Sequence, residues 1–339
     1  MTDEINNNRA GRRFGRRDFM MAGAGAGGAI LSGCAQGPGS MQSVAMASNE
    51  TPSFDAALPE KFKSGTWNRD AFARLQADMN FGKVKYGWYS GNVLGVRENE
   101  KVKPLMGFEG FSASRLIDNG DGSYQKLLRE LVFYKDLRTG QVMETYDNPY
   151  TGETVRVVPV ANDPFNHLIE QYYPKGPSYG GLNKLDDKPR VPLRFPWYVT
   201  REDTVVLATD IHLFYPSALQ PDKWPRESSG PMNRVSEMFR YVIRREELED
   251  PDRTSVTYTG TWNRITPWLP WMLMGQAPGH ITYVGAMGGF DDLSMVSPQV
   301  LAYAEKHYPD YFDAPTEWVE PSLSSLENYA REQKPAPTL

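Results

Sequence analysis

VSEMFRYVIR, residues 235–244, alternates with the period of a strand. Phe239, Tyr241 and Ile243 share one face, and Met238, Arg240 and Val242 share the other, because successive strand side chains point to opposite sides. VVLATDIHLFY at 205–215 reads the same way, and shorter runs follow at 256–262 and 280–286. Upstream, 84–96 alternates around Tyr86, Trp88 and Gly91, and 105–117, 124–134, 154–160 and 165–173 read as further extended runs. Pro159 marks an edge or a strand end, since proline cannot donate to a ladder. Turn signals separate the runs: Asn119-Gly120 and Asp121-Gly122, Arg138-Thr139-Gly140, and Tyr150-Thr151-Gly152. Consecutive strands joined by turns pair antiparallel. The expected fold is therefore mainly β: a curved antiparallel sheet, closed or nearly closed into a barrel, lipocalin-like by analogy. Helical spacing at 68–79, where Phe72, Leu75 and Met79 align, and at 297–308 adds a few peripheral helices.

The N-terminus reads as an address. Arg16-Arg17-Asp18-Phe19-Met20 precedes a stretch rich in Gly and Ala, without charge from Phe19 to Gly33, that ends at Leu31-Ser32-Gly33-Cys34. This resembles a bacterial twin-arginine export signal joined to a lipoprotein cleavage box. Gly15 and Met21 depart from the usual pattern. The apolar stretch is too short and too rich in glycine to span a bilayer as a stable helix. Cys34 is the only cysteine, so no internal disulfide can form, and the cleavage box assigns it to lipid attachment. The resemblance implies a protein on the periplasmic side of the envelope, held in the outer membrane if the cell is Gram-negative. Its partners would be the export machinery, the lipoprotein-processing enzymes and the membrane itself.

The division that follows is a signal at 1–33, a flexible tether at 34–57, one β-rich domain at 58–323 and a loose tail at 324–339. Loss of 1–33 removes five Arg and three acidic residues, taking the formal net charge from −5 to −7. An acidic domain of that kind is a poor partner for nucleic acid.

Several motifs resemble the DUF1838 family, a bacterial family named for having no assigned function. They are Gly107-Phe108-Glu109-Gly110, Phe133-Tyr134-Lys135-Asp136, Arg138-Thr139-Gly140, the run AsnProTyrThrGlyGlu at 148–153, Ala161-Asn162-Asp163-Pro164 and the run TrpLeuProTrpMetLeuMetGly at 268–275. The resemblance supports one fold unit and implies no catalytic residue.

The densest chemistry lies in GTWNRITPWLPWMLMGQAPGH, 260–280. Trp262, Trp268 and Trp271 crowd beside Arg264, and Pro267 and Pro270 break regular structure. Such a segment suits a ligand pocket, because flat rings offer area at low entropic cost and Arg264 can hold a carboxylate or stack on a ring. It equally suits a hydrophobic plug at one barrel end, and Met272 fits either. GTWNR occurs twice, at 65–69 and 260–264, without flanking similarity. Asn162 and His167 form a second polar group around Asp163-Pro164, readable as turn capping or as ligand contacts.

Candidates for acid–base chemistry are His167, Tyr134 and Arg240. Glu130, Glu170 and Glu237 also lie in expected strands, and any that points inward would be a candidate site. There are only four His and no HExxH, CxxC or nucleophile elbow, so neither a metal nor a cofactor is expected. The leading expectation is a lipid-anchored envelope protein that binds an apolar or aromatic small molecule in a barrel pocket. An enzyme acting on such a ligand, or a purely structural envelope protein, are the alternatives.

Overall fold

The computed structural model describes residues 59–173, 190–201, 203–320 and 322–338. The expected export signal around Arg16, Arg17 and Phe19, the lipid site Cys34 and the tether at 34–57 lie outside the described residues.

Among the described residues, twelve strands and four α-helices follow in chain order. They are α1 (Gly65–Gln76), β1 (Lys85–Val96), β2 (Lys103–Asp118), β3 (Tyr124–Lys135), β4 (Thr145–Asp147), β5 (Thr154–Arg156), β6 (Val160–Asn162), β7 (His167–Ile169), β8 (Trp197–Arg201), β9 (Thr204–Pro216), β10 (Met232–Arg244), α2 (Arg245–Glu249), β11 (Tyr258–Thr266), β12 (His280–Phe290), α3 (Pro298–His307) and α4 (Ser325–Glu332). Ten strands form one antiparallel sheet in the order β6-β3-β2-β1-β12-β11-β10-β9-β8, with β7 also on β3; β4 and β5 pair separately. The expected antiparallel, mainly β architecture is therefore present. No strand pairing joins β6 to β8 among the described residues.

The sheet nevertheless wraps around one core. Leu116 of β2, Ile169 of β7, Trp197 of β8, Leu207 of β9 and Met287 of β12 all meet in a buried cluster with Phe72 and Leu75 of α1. Side chains from both ends of the strand order reach that cluster, which requires strong curvature. The chain beyond β7 also meets the chain before β8. The Tyr173 amide donates to the Val191 carbonyl at 2.9 Å, and the Leu193 amide to the Gln171 carbonyl at 2.8 Å. Burying Phe72 and Leu75 contributes about 2 kcal/mol each.

Helix α1 starts earlier than its apolar spacing suggests, because the Ser64 side chain caps it by accepting from the Trp67 amide. The second copy of GTWNR is strand β11, so one pentapeptide is helical at 65–69 and extended at 260–264. Tertiary context decides each case. In α1, Trp67 packs on Phe62 and Trp197.

The outside of β2 and β3 is covered as well. Phe111, Leu131 and Phe133 pack against Val300 and Ala304 of α3. Residues 324–339, expected to be a loose tail, instead carry α4. Ser324 and Glu327 form a reciprocal capping box, and the Asn328 side chain is buried against Asn162. Arg226 donates to the Pro337 carbonyl at 3.2 Å and so holds the chain beyond the helix.

Candidate functional site

Sheet register builds the site. Inward positions are odd in β9, β10 and β12 and even in β2, β3 and β11, as the burial of Ile211, Phe239, Ile281, Phe108, Tyr134 and Tyr258 shows. The pairing Glu237↔Arg264↔Tyr283 crosses β10, β11 and β12 in one row, so three functional groups stand side by side on the inner face. Glu130 of β3 pairs with Asn162 of β6 on the same face. Gly285 stands opposite Trp262, and a Cβ there would lie 2.6 Å from the Phe108 ring. The glycine therefore admits Phe108, whose ring meets Trp262 edge-on at 5.5 Å and Tyr283 at 5.3 Å.

Glu130, Glu237, Arg264, Tyr283 and Asn162 stand in the walls of a cavity of two lobes, each of about 100 Å³. Tyr134, Asn162, Arg264, Tyr283 and Ser325 line both, so the two lobes adjoin. The inner lobe also has Glu130, Glu237, Trp262 and Phe165 in its wall. The outer lobe has Trp268 and Trp271 on one side and Glu227, Ser229 and Asn233 on another. Helix α4 closes one side of both through Ser325 and Leu326.

Charge is concentrated in the inner lobe. Arg264 Nη1 lies 3.1 Å from Glu237 Oε1. The Glu237 side chain is only 5 % accessible, whereas Arg264 keeps 30 % because the cavity reaches it. Burial pushes the Glu237 carboxyl above the usual range; Arg264 opposes that shift and Glu130 adds to it. Glu130 is raised in the same way by burial, against the opposing effects of Asn162, Arg264 and Lys126. Asn162 donates to Glu130 at 2.9 Å and accepts from Asn328 at 3.1 Å, linking the wall to α4. The Tyr134 and Tyr283 hydroxyls share one hydrogen bond at 2.9 Å, and burial raises both pKa values. Two hydroxyl protons for one mutual bond leave one proton free to donate into the cavity.

Two donors complete the inner lobe. Arg264 Nε and Trp262 Nε1 are buried with no hydrogen-bond partner among the described residues. Beneath the lobe, Lys126 donates to Gln76 Oε1 at 2.8 Å, and burial pulls its pKa down to about 8. Arrays of this kind can hold an acceptor oxygen, exclude water and move a proton through a carboxyl group.

Of the residues singled out from sequence, Asn162, Trp262, Arg264, Trp268, Trp271 and Tyr134 come together around the cavity. Met272 does not: it is fully buried in the neighbouring core, and its carbonyl accepts from Asn148. His167 lines neither lobe and packs edge-on against Phe165 at 4.8 Å. Arg240 lies on the opposite face of β10 from Glu237, paired with Asp210 at 2.6 Å, because strand parity separates even from odd positions. Glu170 pairs with Arg190. Tyr283, Ser325 and the 227–233 group were not singled out. The parity of 280–286 puts Tyr283 level with Ile281 on one face, but the other two depend on the path of loops. Among the described residues no group of three His, Cys, Asp or Glu is placed to hold a metal.

The family model described as "Protein of unknown function (DUF1838)" matches residues 82–333. The chain belongs to the DUF1838 family. The match runs from just before β1 to the end of α4, so it takes in every strand and both lobes of the cavity. No curated protein matches the chain.

Proposed function

We propose that this DUF1838 protein binds a small apolar or aromatic molecule with a carbonyl-type oxygen, inside a nearly closed barrel whose wall is the curved sheet. One observation carries the reading: Trp262 Nε1 and Arg264 Nε are buried, unpartnered donors in the wall of one cavity. An orphaned buried donor costs about 1–3 kcal/mol, a cost that a ligand acceptor removes. The walls of Trp262, Trp268 and Trp271 suit a flat apolar body. A neutral carbonyl fits better than a carboxylate, because Glu130 and Glu237 line the same lobe as the single guanidinium of Arg264. Native mass spectrometry of the protein purified gently from its own host's envelope tests the reading. An added small-molecule mass that is lost in Trp262→Leu and Arg264→Met is expected. A bare polypeptide mass in the wild type overturns it.

A second reading is favoured by the two inward carboxyls with raised pKa values, a pattern that suits acid–base catalysis on the bound molecule. It predicts that the recovered ligand changes in structure on incubation with the wild type and stays unchanged with Glu130→Gln or Glu237→Gln. A purely structural envelope role gives no account of orphaned donors on residues that line a cavity.

The location is proposed on the sequence alone: export through the twin-arginine route, then anchoring by lipid on Cys34. Arg16→Lys with Arg17→Lys is expected to keep the protein in the cytoplasm, and Cys34→Ala to release it from membranes, both read by cell fractionation. Wild-type protein recovered without lipid on Cys34 overturns the anchoring.

A further inference from the structure

The outer lobe holds a second set of unsatisfied groups. Glu227 Oε2, Ser229 Oγ and Asn233 Nδ2 are buried and have no hydrogen-bond partner among the described residues. All three residues line that lobe. Glu227 is 3 % accessible and Asn233 is 4 %, so the outer surface does not solvate them. Buried polar groups in native proteins are nearly always paired, and three orphans around one cavity call for a common partner. Their chemistry is mixed: Oε2 accepts, an amide both donates and accepts, and a hydroxyl does either.

Several polar groups beside these three are already engaged. Glu227 Oε1 accepts from the Ala336 amide at 2.5 Å. Ser228 Oγ accepts from the Gly230 amide at 3.2 Å and donates to its carbonyl. Ser217 Oγ is closed in the same way on Leu219. The apolar surface of Trp268 and Trp271 lines the same lobe as this set.

We propose that the outer lobe is a polar subsite for a hydroxyl or primary carboxamide at the end of the ligand remote from its carbonyl. This rests on the binding reading above and adds the ligand's second end. A ligand O–H or N–H would donate to Glu227 Oε2, and its oxygen would accept from Asn233. The ligand class is then an apolar, largely aromatic core with an acceptor at one end and a donor–acceptor group at the other.

Two probes separate the inference from the reading beneath it. 4-Acetylbiphenyl carries the carbonyl and the apolar core, and 4-acetyl-4′-hydroxybiphenyl adds the remote hydroxyl. Affinities for the full-length protein are read by quenching of tryptophan fluorescence. The hydroxylated probe is expected to bind at least about 10-fold more tightly to the wild type, because a site with buried polar groups penalises the analogue that leaves them unpaired. Asn233→Leu and Glu227→Gln are expected to reduce that ratio towards one by weakening the hydroxylated probe more than 4-acetylbiphenyl. Glu227→Gln keeps an oxygen for the Ala336 amide, and Ser229→Ala gives a third variant with minimal change of volume. Equal binding of both probes to the wild type means that the lobe holds only solvent, and it overturns the subsite while leaving the binding reading intact. Variants that weaken both probes equally also overturn it, since their role is then structural. Failure of both probes to bind the wild type overturns the binding reading and the subsite with it.

Discussion

Glu109 and Glu237 are glutamates of one sheet, each almost fully buried, and they behave oppositely. Glu109 points outward from β2 and is saturated. Lys135 donates to it at 2.6 Å, the Ser297 amide at 2.7 Å and the Ser297 hydroxyl at 2.8 Å. Against the cost of burial, these partners hold its carboxyl below the usual range. Glu237 points inward, has one ion pair with Arg264, and burial pushes it above that range. Glu130, also inward, has a single amide donor from Asn162. Saturation marks a fastening: Glu109 holds the start of α3 against the outer face. Under-satisfaction marks a place kept ready for something else, at a cost in stability.

The comparison breaks most visibly at Glu109. Glu109→Ala leaves Lys135 half-buried without its partner and frees the start of α3. A loss of about 3–5 kcal/mol is expected from urea unfolding, the range for removing one member of a buried pair. A loss below about 1 kcal/mol would mean that the outer anchor is no fastening.

The inner carboxyls respond the other way to pH. Where a carboxyl's folded pKa is raised, the native state holds its proton after the unfolded chain has released it, so stability falls as pH rises through the folded value. Glu109, with a lowered folded pKa, contributes stability above the ordinary carboxylate range and loses it as pH falls through its folded value. A stability–pH profile of Glu130→Gln with Glu237→Gln is therefore expected to lose the decline above the ordinary carboxylate range. Glu109→Gln is expected to flatten the acid limb instead. Identical profiles for the two kinds of variant would remove the distinction. A smaller effect is expected at the lid: Ser324→Ala removes the α4 cap and costs about 1 kcal/mol. Its checkpoint is hydrogen exchange, with faster exchange confined to α4 and the chain after it.

Strand periodicity was enough to find most of the sheet. The alternation at 235–244 placed Phe239, Tyr241 and Ile243 on a common face, and all three are buried. Parity could not say which face was inside, so Arg240 and Glu237 stood as equals until the register separated them. Short strands such as β4, and β8 at the sheet edge, carry too few residues to show a period. The tail at 324–339 reads as loose because charge and proline dominate it; Ser324 and Glu327 stand at capping-box spacing, but the contact of Asn328 with Asn162 exists only once β6 is in place. Trp268 and Trp271 could be read as pocket or plug, and they are both: 4 % and 3 % accessible, packed in the core and still part of the outer wall. Single-residue motifs found the aromatic surface, whereas the polar ends of the cavity arise from residues far apart in the chain.

The pairing of β1 with β12 has a kinetic consequence. Tyr86 lies opposite Phe290, so the seam at the middle of the sheet joins positions about 200 residues apart. On either side of it, β1–β2–β3 and β9–β10–β11–β12 are each simple meanders between sequence neighbours. Each meander can form from local contacts, whereas the seam must close a loop of about 200 residues before it gains any contact energy. The topology predicts that the two halves dock late in folding. The cavity takes Glu130 and Tyr134 from one half and Glu237, Arg264 and Tyr283 from the other, so it is complete only when they meet.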